Sequence, residues 1–301
     1  MDAMHSIVNN GIGNIDFMLE ERCGWLSDYS KRVFEEKEFH NIFNPSFYID
    51  DEVKILSFRA MEKDIMSSYF SIDVGVPSIY NISKEWESNL QCDQLIDPKV
   101  FKLDDDVYVT FNSGYVKGGN DIFVMKIYPE IETPKKIIYK GRKAQERNWS
   151  FLSVDNEVYA MYWLNPLKIL RLKSKTDTDW TFVEYYNGNI DPVPQDITIG
   201  TQLCFIDGEY QFVGHRKILH KNKKIYLGKM GIFNFSDKTV KYNNEWISHS
   251  FESLFGVDKK HNKNLFSCTY FSGIQKIGRD LVIGYGINDV ELGFSIKKYS
   301  N

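Results

Sequence analysis

One unit recurs along this chain and limits what it can become. In Ile96-Asp97-Pro98-Lys99-Val100-Phe101-Lys102-Leu103-Asp104-Asp105-Asp106-Val107-Tyr108-Val109-Thr110-Phe111-Asn112, apolar and aromatic residues run up to an acidic triplet and resume directly after it. That pattern predicts two strands joined by a tight turn. An earlier copy spans 43–59, from Phe43-Asn44-Pro45 through Asp50-Asp51-Glu52 to Arg59. Later copies span 147–163, 200–215 and, in degenerate form, 272–286. The first four start roughly 50 residues apart and the last interval is nearer about 70, in the range of four-stranded propeller blades. Further strand-like runs at 68–74, 122–128, 167–172, 180–186 and 225–235 complete each unit. The expected fold class is therefore all-β, a five-bladed β-propeller over 43–301, with a partly helical N-terminal extension over 1–42. A β-sandwich is the competing architecture, but it does not require so regular a repeat.

In the extension, Phe17, Met18, Leu19, Trp25, Leu26, Tyr29, Val33 and Phe34 stand among charged residues at a spacing that suits one or two amphipathic helices. The extra length before the last copy, around 246–264, reads as a loop or short helix over one face. Hydrophobic residues make up 43% and aromatics 15% of the 301 residues, enough for a large core and inconsistent with disorder. A net charge of −4 without a long basic stripe argues against nucleic-acid binding. Cys23, Cys92, Cys204 and Cys268 form no C-x-x-C pair, so structural zinc is not expected, nor any other metal or cofactor. The polar N-terminus lacks the apolar core of a signal peptide, and no run of about 18 apolar residues occurs. A soluble cytoplasmic protein without a transmembrane segment is the expectation.

A propeller gathers equivalent strand ends at one mouth, which turns the repeat into a candidate site. The equivalent first-strand positions are Asn44, Asp97, Asn148, Thr201 and Ser272. Second strands contribute Arg59, Asn112, Trp163, His215 and the segment 285–289. Asp97 precedes a proline, so an extended conformation at the strand entry is expected for it. Asn, Ser and Thr at strand starts also satisfy turn backbones, the alternative reading for each position taken singly. A carboxylate amid amides, indoles and guanidinium groups suits sugar recognition, with or without catalysis. Asp97 is the candidate general acid. A glycosidase also needs a second carboxylate, for which Asp289 is the candidate. Arg59, Lys99, Arg142, Lys143, Arg147, His215 and Arg216 supply cations suited to a phosphate, free or on an activated donor.

Together, Phe43-Asn44-Pro45, Asp97-Pro98-Lys99, Arg147-Asn148-Trp149, Gly200-Thr201, His215 and Tyr285-Gly286-Ile287-Asn288-Asp289 resemble the motifs of the five-bladed β-mannoside phosphorylases (glycoside hydrolase family 130) and related glycosyltransferases. The resemblance runs from Phe43 onward and rests on the order and spacing of short motifs. It implies inverting glycosyl transfer with Asp97 as proton donor, Arg147 and His215 as phosphate ligands, and Tyr285, Gly286 and Asp289 against sugar hydroxyls; Arg216, from the cations above, joins the expected phosphate-binding set. Asn44, Arg59, Lys99, Asn112, Asn148, Trp149, Trp163, Thr201 and Asn288 complete the expected substrate-binding set. The family's Glu before the catalytic Asp is Ile96 here, and its Arg after the proline is Lys99. The implied partners are an oligosaccharide or polysaccharide acceptor and a donor that is phosphate, a sugar phosphate or a nucleotide-sugar. Glycoside hydrolysis and sugar binding without catalysis are the alternatives.

Overall fold

The computed structural model describes residues 2–17, 22–35, 37–114, 118–146, 148–189, 196–256 and 258–298. Helix α1 (Asp2–Asn9), strand β1 (Ile15–Phe17) and helix α2 (Gly24–Phe34) come first. The first meander is β2 (Phe39–Ile49), β3 (Lys54–Glu62), β4 (Ile65–Asp73) and β5 (Pro77–Asn81). Helix α3 (Ile82–Leu90) leads into β6 (Ile96–Leu103), β7 (Asp106–Asn112), β8 (Ile122–Tyr128) and β9 (Lys135–Tyr139). Next come β10 (Ser150–Val154), β11 (Glu157–Leu164), β12 (Leu167–Lys175) and β13 (Asp179–Asn187). A fourth group holds β14 (Ile197–Ile199), β15 (Cys204–Ile206), β16 (Glu209–His220), β17 (Lys223–Asn234) and β18 (Thr239–Ser248). After a 3-10 turn at Glu252–Phe255, β19 (Leu265–Ile277), β20 (Asp280–Ile287) and β21 (Glu291–Lys298) follow.

The architecture is all-β. Neighbouring strands within each meander pair antiparallel, while parallel pairings of β13 with β9 and of β17 with β19 join meanders into larger sheets. Turn chemistry explains the short connections. Asp155 and Asn156 take φ of 51° and 62°, and Asp207 and Gly208 take 52° and 91°, the left-handed conformations that match a hairpin's twist. At the first acidic turn, Asp50 Oδ1 accepts the N–H groups of Glu52 and Val53 at 2.9 and 2.8 Å.

The core lies between successive meanders. Phe101, Tyr108 and Ile122 pack against Phe151, Ala160 and Phe182, and Leu152 and Met161 pack against Phe212 and Phe233. The series closes where Phe47, Leu56 and Phe58 of the first meander meet Val282 and Phe294 of the last. Each large aliphatic or phenylalanine side chain among them contributes about 1.5–3 kcal/mol on burial. Side chains also stitch adjacent first strands together. Ser46 Oγ accepts the Val100 N–H at 2.9 Å, and Ser272 Oγ donates to Pro45 O at 2.8 Å.

The extension differs in part from the helical expectation. Helix α2 presents Leu26, Tyr29, Ser30 and Val33 to the core, the stripe its spacing predicts. Residues 15–17 instead form β1, parallel to β18 with Ile15 opposite Trp246, because an open sheet edge offers unpaired backbone groups that outweigh local propensity. Met18 and Leu19 lie outside the described residues. Helices α1 and α3 were not anticipated; α3 is started by Asn81, whose side chain accepts the Lys84 N–H at 2.9 Å. All four cysteines are free. Among the described residues, no helix is long and apolar enough to cross a membrane.

Candidate active site

Asn44 and Asp97 occupy the same place in consecutive meanders, and the backbone there is irregular. Register with the second strand slips between Phe43 and Ser46 in β2 and between Ile96 and Lys99 in β6. The proline after each residue cannot donate to a ladder, which favours a bulge. The extended conformation expected before proline is not adopted: φ is 54° at Asn44 and 55° at Asp97. Asn and Asp tolerate this left-handed region better than other side chains. A bulge re-aims a side chain, and here it brings the two together, with Asn44 Nδ2 3.5 Å from Asp97 Oδ1. Arg59 Nη1 stands 4.0 Å from the same oxygen, and its guanidinium lies 5.2 Å from the Phe43 ring centroid. A Cβ at residue 286 would fall 2.1 Å from Asn44 Oδ1, so only glycine fits there.

A cavity of ≈ 480 Å³ opens beside this group, lined by Phe43, Arg59, Met66, Asp289 and the segment 261–263. Burial raises the pKa of Asp289; Arg59 opposes the shift and Asp97 adds to it. Asn44 Oδ1 and Arg59 Nε are buried without a hydrogen-bond partner.

Lys99 lies two residues beyond Asp97 and is 2% exposed. Its Nζ donates to Asn148 Oδ1 at 2.7 Å and to Gly200 O, and sits 5.3 Å from the centroid of the Tyr270 ring. Burial lowers its pKa to about 7, with Asp97 pulling the other way. Asn148 Oδ1 also accepts the Tyr270 hydroxyl at 3.2 Å, so both bonds leave its amide NH₂ as the outward end. His215 Nε2 accepts the Phe271 N–H at 2.7 Å, which places the ring proton on Nδ1. Burial, then the Lys99 charge, holds this histidine well below its ordinary pKa, so it is neutral. Asn148, Trp163, His215 and Tyr270 line a second cavity of ≈ 510 Å³ with Gln145, Lys217, Lys224 and Tyr226.

The structure thus gathers Asn44, Arg59, Asp97 and Asp289 on one side, and Lys99, Asn148, Trp163 and His215 on the other. Other expected ligands have polar groups already engaged within the fold. Asn112 donates to Ile96 O at 3.3 Å and accepts the Gly114 N–H at 3.0 Å. Thr201 Oγ1 accepts the Val213 N–H at 3.0 Å, and Asn288 Oδ1 the Cys268 N–H at 2.8 Å. These contacts satisfy buried backbone groups, and Asn288 Nδ2 is left buried without a partner. Trp149 is largely buried, with its indole N–H donating to Glu146 Oε2 at 3.1 Å, yet it borders the second cavity, and the Tyr285 hydroxyl is 3.0 Å from Ser295 Oγ. Arg216 follows His215 on a strand, so alternation turns it away, and its guanidinium sits 5.4 Å from the Trp246 ring centroid. Arg147 lies outside the described residues.

Several contributors were not read from the sequence. Lys217 shares the His215 face at a spacing of two, a signal that was available. Glu146, 7% exposed, accepts from Arg142 Nε at 3.2 Å and from the Lys143 N–H, Trp149 and the Tyr162 hydroxyl, ordering the loop beside the second cavity. Lys143, by contrast, was among the cations read from the sequence, and its Nζ lies 3.4 Å from the Trp163 ring centroid. No group of three or more metal-ligating side chains occurs among the described residues.

This all-β fold is one that carbohydrate-cleaving enzymes also use. A β-1,2-mannobiose phosphorylase from Listeria innocua, solved with β-1,2-mannobiose, shares it at 12% identity and a TM-score of 0.60, over 87% of this chain and 90% of that one. A structure from the family of mannoside phosphorylases that includes hydrolases of β-1,2 mannosidic linkages in Candida mannan matches at 12% identity and TM-score 0.58, over 86% and 84%. An endo-arabinanase from Bacillus licheniformis matches at 9% and 0.51, over 88% and 96%. The β-mannoside phosphorylases named on sequence motifs are therefore among the structural neighbours. No protein-family model and no curated protein sequence matches the chain.

Proposed function

We propose that this protein is a carbohydrate-active enzyme that transfers a glycosyl group with inversion, on a five-bladed propeller spanning 43–301, with Asp97 as general acid/base. The observation that carries the reading is the bulge that sets Asp97 beside Asn44 and Arg59 while Lys99, one proline further on, holds Asn148 at the wall of the second cavity. In the phosphorolytic direction Asp97 is the proton donor. A phosphate oxygen bonds the anomeric carbon from the opposite face as the glycosidic C–O bond breaks, and the departing oxygen takes the Asp97 proton. Synthesis runs the same steps in reverse. Lys217 and Lys224, with the outward Asn148 amide, suit the anion. Asn44, Arg59 and Asp289 suit hydroxyls of a β-mannoside-like oligosaccharide or polysaccharide.

One observation favours a second reading. Asp289 shares Arg59 with Asp97, and a pair of carboxylates is what hydrolysis by water requires. Incubation with mannose 1-phosphate or nucleotide-sugars and short mannosides, following released phosphate or nucleotide, tests transfer. Reducing-sugar release in phosphate-free buffer without a donor selects hydrolysis instead. Asp97→Asn is expected to abolish either activity with the fold intact, and full turnover in that variant removes Asp97 from the mechanism.

A further inference from the structure

Helix α2 lies outside the strand repeat and buries Leu26, Tyr29 and Val33 against the core. Its other side borders a groove of ≈ 570 Å³, lined by Gly24, Ser27, Asp28 and Lys31. Those positions follow one another at helical spacing on a single face, so the groove runs along α2 for about 10 Å. The opposite wall includes residues 41–42 of β2 and 290–292 around the start of β21.

This groove adjoins the cavity beside Asp97. Two chain segments pass from one opening to the other: Phe43 lines the cavity where 41–42 line the groove, and Asp289 lines the cavity where 290–292 line the groove. The openings meet where Asn41 Nδ2 stands 3.5 Å from His261 Nδ1. The lining suits an uncharged sugar. Arg22 and Lys31 balance Asp28 and Glu291, so no net charge selects an ion, and Lys31 is already paired with Asp28 at 3.0 Å. Phe34 and Phe39 add partly buried ring surface for pyranose C–H groups, next to donors and acceptors for hydroxyls.

We infer that this groove is a further sugar-binding site, holding the outer units of an oligosaccharide whose reacting end lies beside Asp97. The identity of the occupant rests on the function proposed above; the continuity of groove and cavity does not. Binding energy from such remote units is spent at the reacting centre, so a long chain is the better substrate.

Gly24 offers the test, because a Cβ there meets no atom within 4 Å. Gly24→Trp fills the groove, whereas Gly24→Ala adds only a methyl group. kcat/KM is measured with β-1,2- and β-1,4-linked manno-oligosaccharides of two and of six units, in phosphate and with each donor named above. Wild type is expected to favour the hexasaccharide about tenfold, Gly24→Trp to lose that preference and Gly24→Ala to keep it. A wild type without the preference, or a Gly24→Trp variant that retains it, overturns the inference. A wild type that turns over no sugar overturns the proposed reaction instead. Calorimetric titration of the same hexasaccharides then decides the groove: binding weakened about tenfold by Gly24→Trp supports it, and absent binding, or equal binding in both proteins, overturns it.

Discussion

The two ends of the first strands β2, β6, β10, β15 and β19 are built from the same residue positions in series, yet they differ in what their polar groups lack. Away from the bulges lies a cavity of ≈ 670 Å³, larger than either cavity of the candidate site. Its amides are fully employed. Gln202 accepts the Phe151 N–H at 3.0 Å and donates to Trp149 O at 2.9 Å, and Gln275 accepts the Ile49 N–H at 2.9 Å and donates to Ile49 O at 2.6 Å. At the bulge end, Asn44 Oδ1 and Arg59 Nε are buried without partners. An unmet buried polar group costs about 1–3 kcal/mol, a cost that a ligand completing the bond offsets. The two ends therefore differ in unfilled hydrogen-bonding capacity as well as in cavity size.

The largest effect expected from this contrast is catalytic. Asp97→Asn is predicted to lower turnover about 10²–10⁴-fold, with a thermal midpoint close to wild type. Gln275→Ala at the opposite end is predicted to do the reverse, costing about 1–3 kcal/mol in urea unfolding while turnover per folded molecule is unchanged. A catalytic loss in Gln275→Ala at unaltered stability would invert the comparison.

A pH series sharpens it further. Lys99 titrates at about 7 in the folded protein against an ordinary 10.5, so between those values the unfolded chain binds the extra proton. Stability therefore rises with pH across that window, by up to about 1.4 kcal/mol per pH unit, and the burial penalty is felt in full below it. Lys99→Met is predicted to flatten the slope in paired urea titrations, and identical slopes in both proteins would remove the buried ammonium from the account. The smallest effect belongs to Phe205, 61% exposed at the end without unmet bonds. Phe205→Ser is predicted to change stability by less than about 0.5 kcal/mol and activity not at all.

Much of the strand pattern was legible because it is local. Alternation, acidic turns and Asp-Asn or Asp-Gly pairs act within a few residues, so hairpins such as β6–β7 and β10–β11 can be read directly. Helix α3 was less visible: its start depends on one Asn81 side chain between two strands. At the site, Asp97, Asn44, Arg59 and Asp289 were named in advance and lie together. Asn112 and Thr201 were named for the same polarity, but their side chains are occupied by backbone groups, while Asn288 spends its Oδ1 on the Cys268 N–H and keeps a buried Nδ2 without a partner.

The amino-acid sequence alone determined where strands start and stop and which residue precedes each proline, since sterics and turn chemistry operate between chain neighbours. Tertiary structure alone decided which of those polar side chains have partners to spare. It turned Arg216 onto Trp246 while His215 met Phe271, and it brought residues 261–263, from a connection without a motif, to the cavity that Asp289 lines. Hydrogen bonds between meanders are settled by packing across the molecule, and no sequence spacing encodes which of two equivalent amides is left unmet.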